Sequence, residues 1–205
     1  MTTAERNAIT SPAIGLIIYQ TDGTAGLYQY NGTAWAAIGG THYVGELYGG
    51  GGGVLVDHTG EHGLIVSIVN ISTGQAWSNL TTLIGTTNDW DGANNTLAII
   101  GQSGHTSSAA KFCDDYTNAD YGTGTYSDWY LPSVAELNHV WNNFYEVQKA
   151  LINDGNSSTT PLARAAYWSS SELNASNAWA FHFYYGYTYT NYKSSTYYVR
   201  AVRAF

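Results

Sequence analysis

Towards its C-terminal end the chain alternates between large aromatic residues and smaller or polar residues. Every second position is aromatic, namely Trp179, Phe181 and Phe183, and the positions between them are Ala180, His182 and Tyr184. Side chains on a strand point to opposite faces in turn, so this pattern predicts a strand with one buried and one free face. We predict that the aromatic set lies in a core together with Trp168, and that the second set faces outward.

Two further stretches have apolar residues at helical spacing. The first predicts a helix over residues 106–118 with Thr106 as its N-cap. The second predicts a helix over residues 133–152, because Ser133 and Glu136 have the spacing of a capping box. Its apolar positions recur every three or four residues: Val134, Leu137, Val140, Trp141, Phe144, Val147 and Leu151.

The N-terminal part predicts a small β module. Residues 2–12 are polar and suit a short helical or irregular lead-in, and strands are predicted over residues 15–19, 26–30 and 34–38. Three short strands bury little surface alone, so the module is expected to pack against the main domain or against copies of itself. The predicted boundary is at residues 39–41, which gives domains of residues 1–40 and 41–205. Further strands are expected over residues 54–56 and 64–69, and loops over residues 72–104.

Composition narrows the possible partners. The 205-residue chain has a formal net charge of −8, which disfavours binding to nucleic acid. It has no apolar run long enough to cross a bilayer and no signal-peptide core near Met1. The single cysteine, Cys113, has no partner for an internal disulfide and is predicted to be a small buried residue on a helix.

Residues 173–198 consist almost entirely of Tyr, Asn, Ser, Thr and Ala. This composition is typical of antibody binding surfaces, because Tyr gives a large contact area with few torsions to order. Tyr and Thr are also common in ordinary strands, so composition alone leaves a binding surface and a plain sheet as alternatives. If the segment binds a ligand, the predicted binding residues are Leu173, Asn174, Ser176, Asn177, Ala180, His182, Tyr184, Tyr185, Tyr187, Tyr189, Asn191, Tyr192, Ser195, Tyr197 and Tyr198.

Other candidate sites have simpler structural interpretations. The glycines at residues 49–53 lack the Gly-Lys-Ser/Thr ending of a phosphate-binding loop. His58 and His62 lie on a predicted hairpin turn over residues 57–63, where their spacing does not place both rings on one face. Asp89, Asp91 and Asn95 can bind calcium or form Asx turns. No nucleophile with a base and an orienting group is apparent, so we predict no enzyme, no cofactor and no metal.

Several motifs resemble one known family. Residues 167–172, residues 199–203 and the aromatic positions between them resemble the C-terminal signature of the FISUMP and Lcl-type domains. Residues 127–133 match the internal motif of that family, and the likeness extends over about residues 43–205. The resemblance implies an α+β domain with the C-type lectin fold, with two helices and short twisted antiparallel sheets. Residues 11–22 and 27–39 are similar to segments of phage tail fibres.

Some proteins with this fold carry a C-terminal region that a diversity-generating retroelement varies at adenines. Asn codons altered in this way never encode Trp, Lys, Glu, Gln or Met. Within residues 173–198 only Trp179 and Lys193 fall outside the accessible set. Calcium-dependent C-type lectins use Glu-Pro-Asn or Gln-Pro-Asp motifs, and formylglycine-generating relatives use cysteine pairs, neither of which this chain has.

The resemblance leads to two main hypotheses. The first is a non-enzymatic receptor-binding protein that binds a protein or glycan on a target cell through residues 173–198. The second is a structural appendage domain with no diversified ligand site; an enzyme on the same scaffold is a weaker third. In the first two cases the expected location is a virion or a bacterial surface, without membrane insertion. A homo-oligomer formed through the N-terminal module is a further expectation.

Overall fold

The computed structural model describes residues 1–23, 25–38, 42–48, 52–59, 62–85, 88–117 and 125–205. These residues divide into two compact units, of which one holds Met1–His42 together with Thr59, and the other holds Tyr43–His58 and His62–Phe205. The boundary predicted at residues 39–41 lies outside the described residues. So do residues 49–51 of the glycine run, residues 60–61 of the predicted hairpin turn and the predicted helix end at residue 118.

The smaller unit is an antiparallel sheet preceded by a short helix. Its elements are α1 (Thr3–Asn7), β1 (Ile17–Gln20), β2 (Gly26–Tyr30) and β3 (Trp35–Ala37), and the strand order is β1-β2-β3. A capping box starts the helix, because Thr2 Oγ1 accepts from Glu5 N and the Glu5 carboxylate accepts from Thr2 N. The turn between β2 and β3 is fixed by Asn31, whose Oδ1 accepts from Thr33 N and Ala34 N. The three predicted strands are confirmed.

The larger unit combines helices with two sheets. Its strands are β4 (Leu47–Tyr48), β5 (Gly53–Thr59), β6 (His62–Ser67), β7 (Ser72–Ala76), β8 (Ala166–Glu172), β9 (Asn177–His182), β10 (Tyr187–Tyr192), β11 (Thr196–Val199) and β12 (Val202–Ala204). Its helices are α2 (Gly92–Ile100), α3 (Ala109–Asp114), α4 (Val134–Asn142) and α5 (Phe144–Asn153). The predicted α+β class is therefore confirmed.

Both sheets of the larger unit take strands from distant parts of the chain. The five-stranded sheet has the order β10-β9-β8-β11-β7, and the four-stranded sheet has the order β12-β6-β5-β4. The pairing of β8 with β11 is parallel, with Tyr198 opposite Tyr167. The hairpin of β9 and β10 forms one edge of the five-stranded sheet, which leaves β10 without a further strand on its outer side in the described chain.

The helix predicted over residues 133–152 is two helices. The predicted capping box at its start is confirmed, because Ser133 Oγ accepts from Glu136 N and the Glu136 carboxylate accepts from Ser133 N. Asn143 interrupts the helix with φ −108° and ψ 19°. Its side-chain amide donates to Val56 O at 3.0 Å, so a contact with strand β5 fixes the break.

The structure corrects three local predictions. Residues 72–104 contain strand β7 and helix α2 rather than loops alone. Helix α3 begins at Ala109, with Ser108 rather than Thr106 as its N-cap. The predicted turn at residues 57–63 is shorter, because β5 continues to Thr59 and β6 begins at His62.

Buried apolar side chains form two clusters, because the central strands of the five-stranded sheet are covered on both faces. Every residue of β8 is buried, and its consecutive residues Tyr167 and Trp168 belong to different clusters. On β9, Phe181 packs in the first cluster and Ala180 in the second. The prediction of one buried face and one free face for this strand is therefore wrong over its central part.

Candidate ligand-binding face

The register of three strands decides which side chains share a face. Residues directly opposite each other on paired strands point to the same side of a sheet. Ala180 lies opposite both Trp168 on β8 and Tyr189 on β10, and His182 lies opposite Tyr187. One side of the hairpin therefore presents His182, Tyr187 and Tyr189 in neighbouring rows above the buried Ala180.

Aromatic rings form a continuous strip on this side. His182 contacts Tyr185 with ring centroids 4.7 Å apart, and Tyr185 stacks on Tyr187 at 5.9 Å. Tyr187 contacts Tyr189 at 5.8 Å, and Tyr189 contacts Tyr197 at 6.0 Å. We call these five residues, His182, Tyr185, Tyr187, Tyr189 and Tyr197, the aromatic face.

The outer end of the aromatic face is open to solvent and its inner end is packed. Tyr185 is 64% exposed and Tyr187 is 50% exposed. Tyr197 packs on the buried Trp168 at 4.6 Å, and Trp168 Nε1 donates to Gln75 O at 2.9 Å. Burial is the main cause that raises the pKa of Tyr189, and the hydrogen bond with Tyr197 raises this pKa further. The face therefore has a fixed base and accessible rings.

A tight turn positions the exposed end of the face. Gly186 has φ +72°, and a Cβ atom there would lie 2.7 Å from the ring of Trp141. His182 O accepts from Gly186 N at 2.8 Å, and His182 Nδ1 accepts from Tyr184 N at 3.3 Å. Because Nδ1 is an acceptor, the ring proton of neutral His182 lies on Nε2. Glycine is required by both the backbone conformation and the tryptophan beneath the turn.

Some predicted binding residues lie away from the aromatic face. Ala180 is 0% exposed, so its predicted outward position is wrong. Tyr198 lies opposite Tyr167 on the other side of the sheet, and its ring contacts that of Tyr167 at 5.4 Å. Tyr192 is 63% exposed but lies opposite Asn177, on the other side from Tyr187. The predicted residues therefore do not form one contiguous patch.

The loop between β8 and β9 is a separate surface. Leu173, Asn174 and Ser176 are exposed and Asn177 is half-buried. Asn174 Oδ1 accepts from the backbone N–H groups of Ser176 and Asn177, each at 2.9 Å. Strand β9 separates this loop from His182 by roughly 17 Å, at about 3.3 Å per residue. Ser195, in the turn after β10, is half-buried and donates its backbone N–H to Tyr192 O at 2.9 Å.

Two polar side chains complete the positions near the face. Asn191 is half-buried and donates from Nδ2 to the Tyr197 hydroxyl. Tyr184 is 57% exposed and contacts Tyr185 edge-on at 4.8 Å. Tyr184 therefore adds a ring at the exposed end of the strip, and Asn191 adds a hydrogen bond at the packed end. Trp179, predicted to be core, is half-buried on the other side of the hairpin, where it lines a cavity of about 280 Å³ with Ala135 and Asn138.

A buried ion pair that the sequence did not predict joins the two ends of this region. The side chains of Glu172 and Lys193 are both 0% exposed, and Lys193 Nζ donates to Glu172 Oε1. Glu172 also accepts from the backbone N–H groups of Ile84 and Gly85. Lys193 Nζ donates to Thr82 O at 3.0 Å. The sequence signal that could have revealed this pair is the lysine within a polar, tyrosine-rich stretch. If such a lysine is buried, it needs an anion nearby.

The serines of the same motif are structural. Ser169 Oγ donates to Trp179 O at 2.7 Å, and Ser171 Oγ accepts from Val134 N at 3.1 Å. Burial raises the pKa of Tyr167 to about 12, and its hydroxyl donates to Asn70 at 2.9 Å. These groups hold the sheet against α4 and the preceding loops, so they are unsuited to contact a ligand.

The other candidate sites also have structural roles where they are described. Asp91 is the N-cap of α2, and Asn95 Nδ2 donates to Asn88 O at 2.6 Å. A Cβ atom on Gly53 would lie 2.3 Å from Val66 O, so this glycine permits close strand packing. Burial raises the pKa of the Cys113 thiol well above its ordinary value, which disfavours the reactive thiolate. Among the described residues, no group of three or more His, Cys, Asp or Glu is placed to hold a metal ion.

Comparison with models of known families agrees with the resemblance that the sequence motifs indicated. The sequence model of the Lcl C-terminal domain matches residues 67–203, which is most of the chain. The chain belongs to the Lcl C-terminal domain family. A second model, the phage tail like trimerisation region, matches residues 1–51. No curated protein matches the chain.

The two matches describe different parts of this Lcl-family chain. The Lcl C-terminal domain includes the whole aromatic face, and the trimerisation region includes Met1–His42 of the smaller unit. Together they indicate a phage or surface adhesion-type protein that forms homo-oligomers through its N-terminal region. Within the described part of the chain, no helix has the length and apolar character needed to cross a membrane.

Proposed function

We propose that this chain is a non-enzymatic binding protein of a phage tail or bacterial surface appendage. Its aromatic face binds a protein or a glycan on the surface of a target cell. The observation that carries the proposal is the continuous strip of rings that runs from the exposed Tyr185 and Tyr187 at the edge hairpin to the packed Tyr197 on β11. Such rings give a large contact area at a small cost in side-chain entropy, and Tyr is enriched among residues that dominate binding.

The scaffold proposed for this face is a C-type-lectin-like domain whose residues 173–198 are diversified. The side chains that carry exposed rings are all types that an altered Asn codon encodes. Of the two exceptions in the stretch, Lys193 is fully buried and Trp179 is half-buried. Neither exception is a fully exposed position, and Lys193 has a structural role in the buried ion pair. This placement supports diversification of the surface positions.

The proposal that the protein is not an enzyme rests on the environment of Cys113, the candidate nucleophile in the sequence. Cys113 is a fully buried residue of helix α3, and burial raises the pKa of its thiol. The aromatic face itself holds tyrosine hydroxyls and one imidazole. Its residues can stack and form hydrogen bonds with a ligand, as a recognition surface requires.

The proposal is tested by removing one central ring. Tyr187→Ala should weaken adhesion of the purified chain to a target bacterium about 30-fold, since a central anchor contributes about 2 kcal/mol. The melting temperature should change little, because Tyr187 is half exposed on an edge strand. Tyr145→Ala is the matched control: this tyrosine is 78% exposed on α5, and its loss should leave adhesion unchanged.

Two results would oppose the proposal. If Tyr187→Ala unfolds the domain without a selective loss of adhesion, the ring is structural. If neither the parent chain nor any variant adheres to a broad panel of bacterial strains and glycans, the static structural appendage is favoured. The diversification is tested separately in DNA: a near-identical template repeat beside a reverse transcriptase gene should differ from the coding repeat only at adenines.

A further inference from the structure

The sheet of the smaller unit exposes apolar side chains on one face. Tyr19 lies opposite Leu27, and Ile38 N donates to Leu27 O at 2.8 Å, so these three residues form a row across the sheet. Ile17 and Ala36 form a second row through Gln29. The exposed fractions are 57% for Tyr19, 47% for Leu27, 39% for Ile38 and 53% for Ile17. We call Ile17, Tyr19, Leu27, Ala36 and Ile38 the apolar sheet face.

The opposite side of the same sheet contacts helix α1 of the smaller unit. Ile18 is 8% exposed, and the guanidinium of Arg6 in α1 lies 5.1 Å from the centre of the Tyr28 ring. Thr3 Oγ1 donates to Asp22 Oδ1 at 2.8 Å, which ties α1 to the end of β1. The side facing α1 is therefore satisfied within one chain, and the apolar sheet face is the side that it leaves open.

The two sides of this sheet also differ in the charged residues that they carry. The charged side chains of residues 1–38 are Glu5, Arg6 and Asp22, in α1 and the turn after β1. The apolar sheet face carries none. An exposed, uncharged apolar surface can pack against another apolar surface. A second copy of the chain carries the same surface.

We propose that three copies of this chain associate through the apolar sheet face. The match to a trimerisation region covers residues 1–51 and hence all three strands that carry the face. Association removes Tyr19, Leu27 and their neighbours from water, which supplies the driving force. The proposal assigns the interface to one side of the sheet and excludes the α1 side. It does not depend on any ligand of the aromatic face.

The first experiment measures the mass of the full chain by sedimentation equilibrium. The parent chain should be a trimer, and Tyr19→Thr combined with Leu27→Thr should shift it to monomer. Threonine keeps a high preference for strands, so the sheet should be retained. Ile152→Thr is the control, because Ile152 is 61% exposed on α5 outside the smaller unit, and this variant should remain a trimer. A monomeric parent, or a double variant that associates as tightly as the parent, overturns the proposal.

A second experiment covers the case in which the double variant fails to fold. Ala36→Cys changes a small exposed side chain on the face, and Cys113 is buried, so the new thiol is the one that a bulky maleimide reaches. At concentrations where the chain is a trimer, Ala36→Cys should react more slowly than Ile152→Cys, and dilution should remove the difference. Equal rates in a trimer would place the interface elsewhere.

Discussion

Replacement of Lys193 by methionine tests whether the buried ion pair holds the larger unit together. Methionine keeps most of the apolar stem and removes the ammonium group. The ammonium donates to Glu172 and to Thr82 O, and it lies 4.6 Å from the centre of the Trp77 ring. All of these interactions are lost in Lys193→Met, and the Glu172 carboxylate stays buried without its cation.

The expected cost is about 3 kcal/mol of unfolding free energy. Removing one partner of a buried pair usually costs about 3–5 kcal/mol, because the remaining charge has lost its compensation. We expect the lower end of this range, since Glu172 keeps the hydrogen bonds from Ile84 N and Gly85 N. For a domain of this size the melting temperature should fall by roughly 6–12 °C.

Urea unfolding followed by tryptophan fluorescence gives the free energy. The double variant Glu172→Gln with Lys193→Met should be more stable than Lys193→Met alone, because no unpaired charge remains buried. Lys149→Met is the control, since the Lys149 side chain is 72% exposed. A loss below about 0.5 kcal/mol for Lys193→Met, the level typical of surface changes, would refute the reasoning.

Two other predictions concern the turn and the C-terminal strand. Gly186→Ala should destabilise the chain by more than about 1–2 kcal/mol, the cost of a left-handed conformation for an L-residue, because its Cβ also meets Trp141. Gly74→Ala, with open space around its Cβ, should be nearly neutral in the same urea assay, and equal effects of the two would contradict this account. Hydrogen bonds from Arg203 hold the pKa of Asp128 below its ordinary value, so its stabilising contribution is present above the unfolded pKa and lost as the pH falls through the lowered folded pKa. Asp128→Asn should therefore reduce the unfolding free energy at neutral pH and leave it unchanged below both pKa values; an equal loss at every pH would exclude this linkage.

Local signals in the sequence predicted the elements that local interactions stabilise. The capping box of Ser133 and Glu136 is such a signal, and α4 begins where it predicts. The turn at Asn31 is another, because its side chain bonds to the backbone two and three residues later. Helix α2 was missed because it contains Gly92, Asn94 and Asn95, which are poor helix formers, and its contacts with the rest of the fold outweigh that preference.

The candidate site was predictable in composition but not in arrangement. Alternation along one strand correctly predicted that Phe181 and Phe183 are buried. It could not predict that β9 lies between two strands of a sheet covered on both sides, which buries Ala180 as well. Tyr198 was assigned to the face for the same reason, since the parallel pairing of β11 with β8 comes from topology rather than from local pattern.

The Glu172–Lys193 pair affects how readily the segment between these two residues can be replaced by another sequence. The pair closes residues 173–192 into a loop whose ends are also joined through the backbone, where Lys193 N donates to Ser176 O at 2.8 Å. The entropy of closing a loop depends on its length and only weakly on its sequence. A segment of equal length from a relative should therefore close at a similar entropic cost, provided that it keeps the same acid and base at its ends and the buried Phe181 and Phe183 between them.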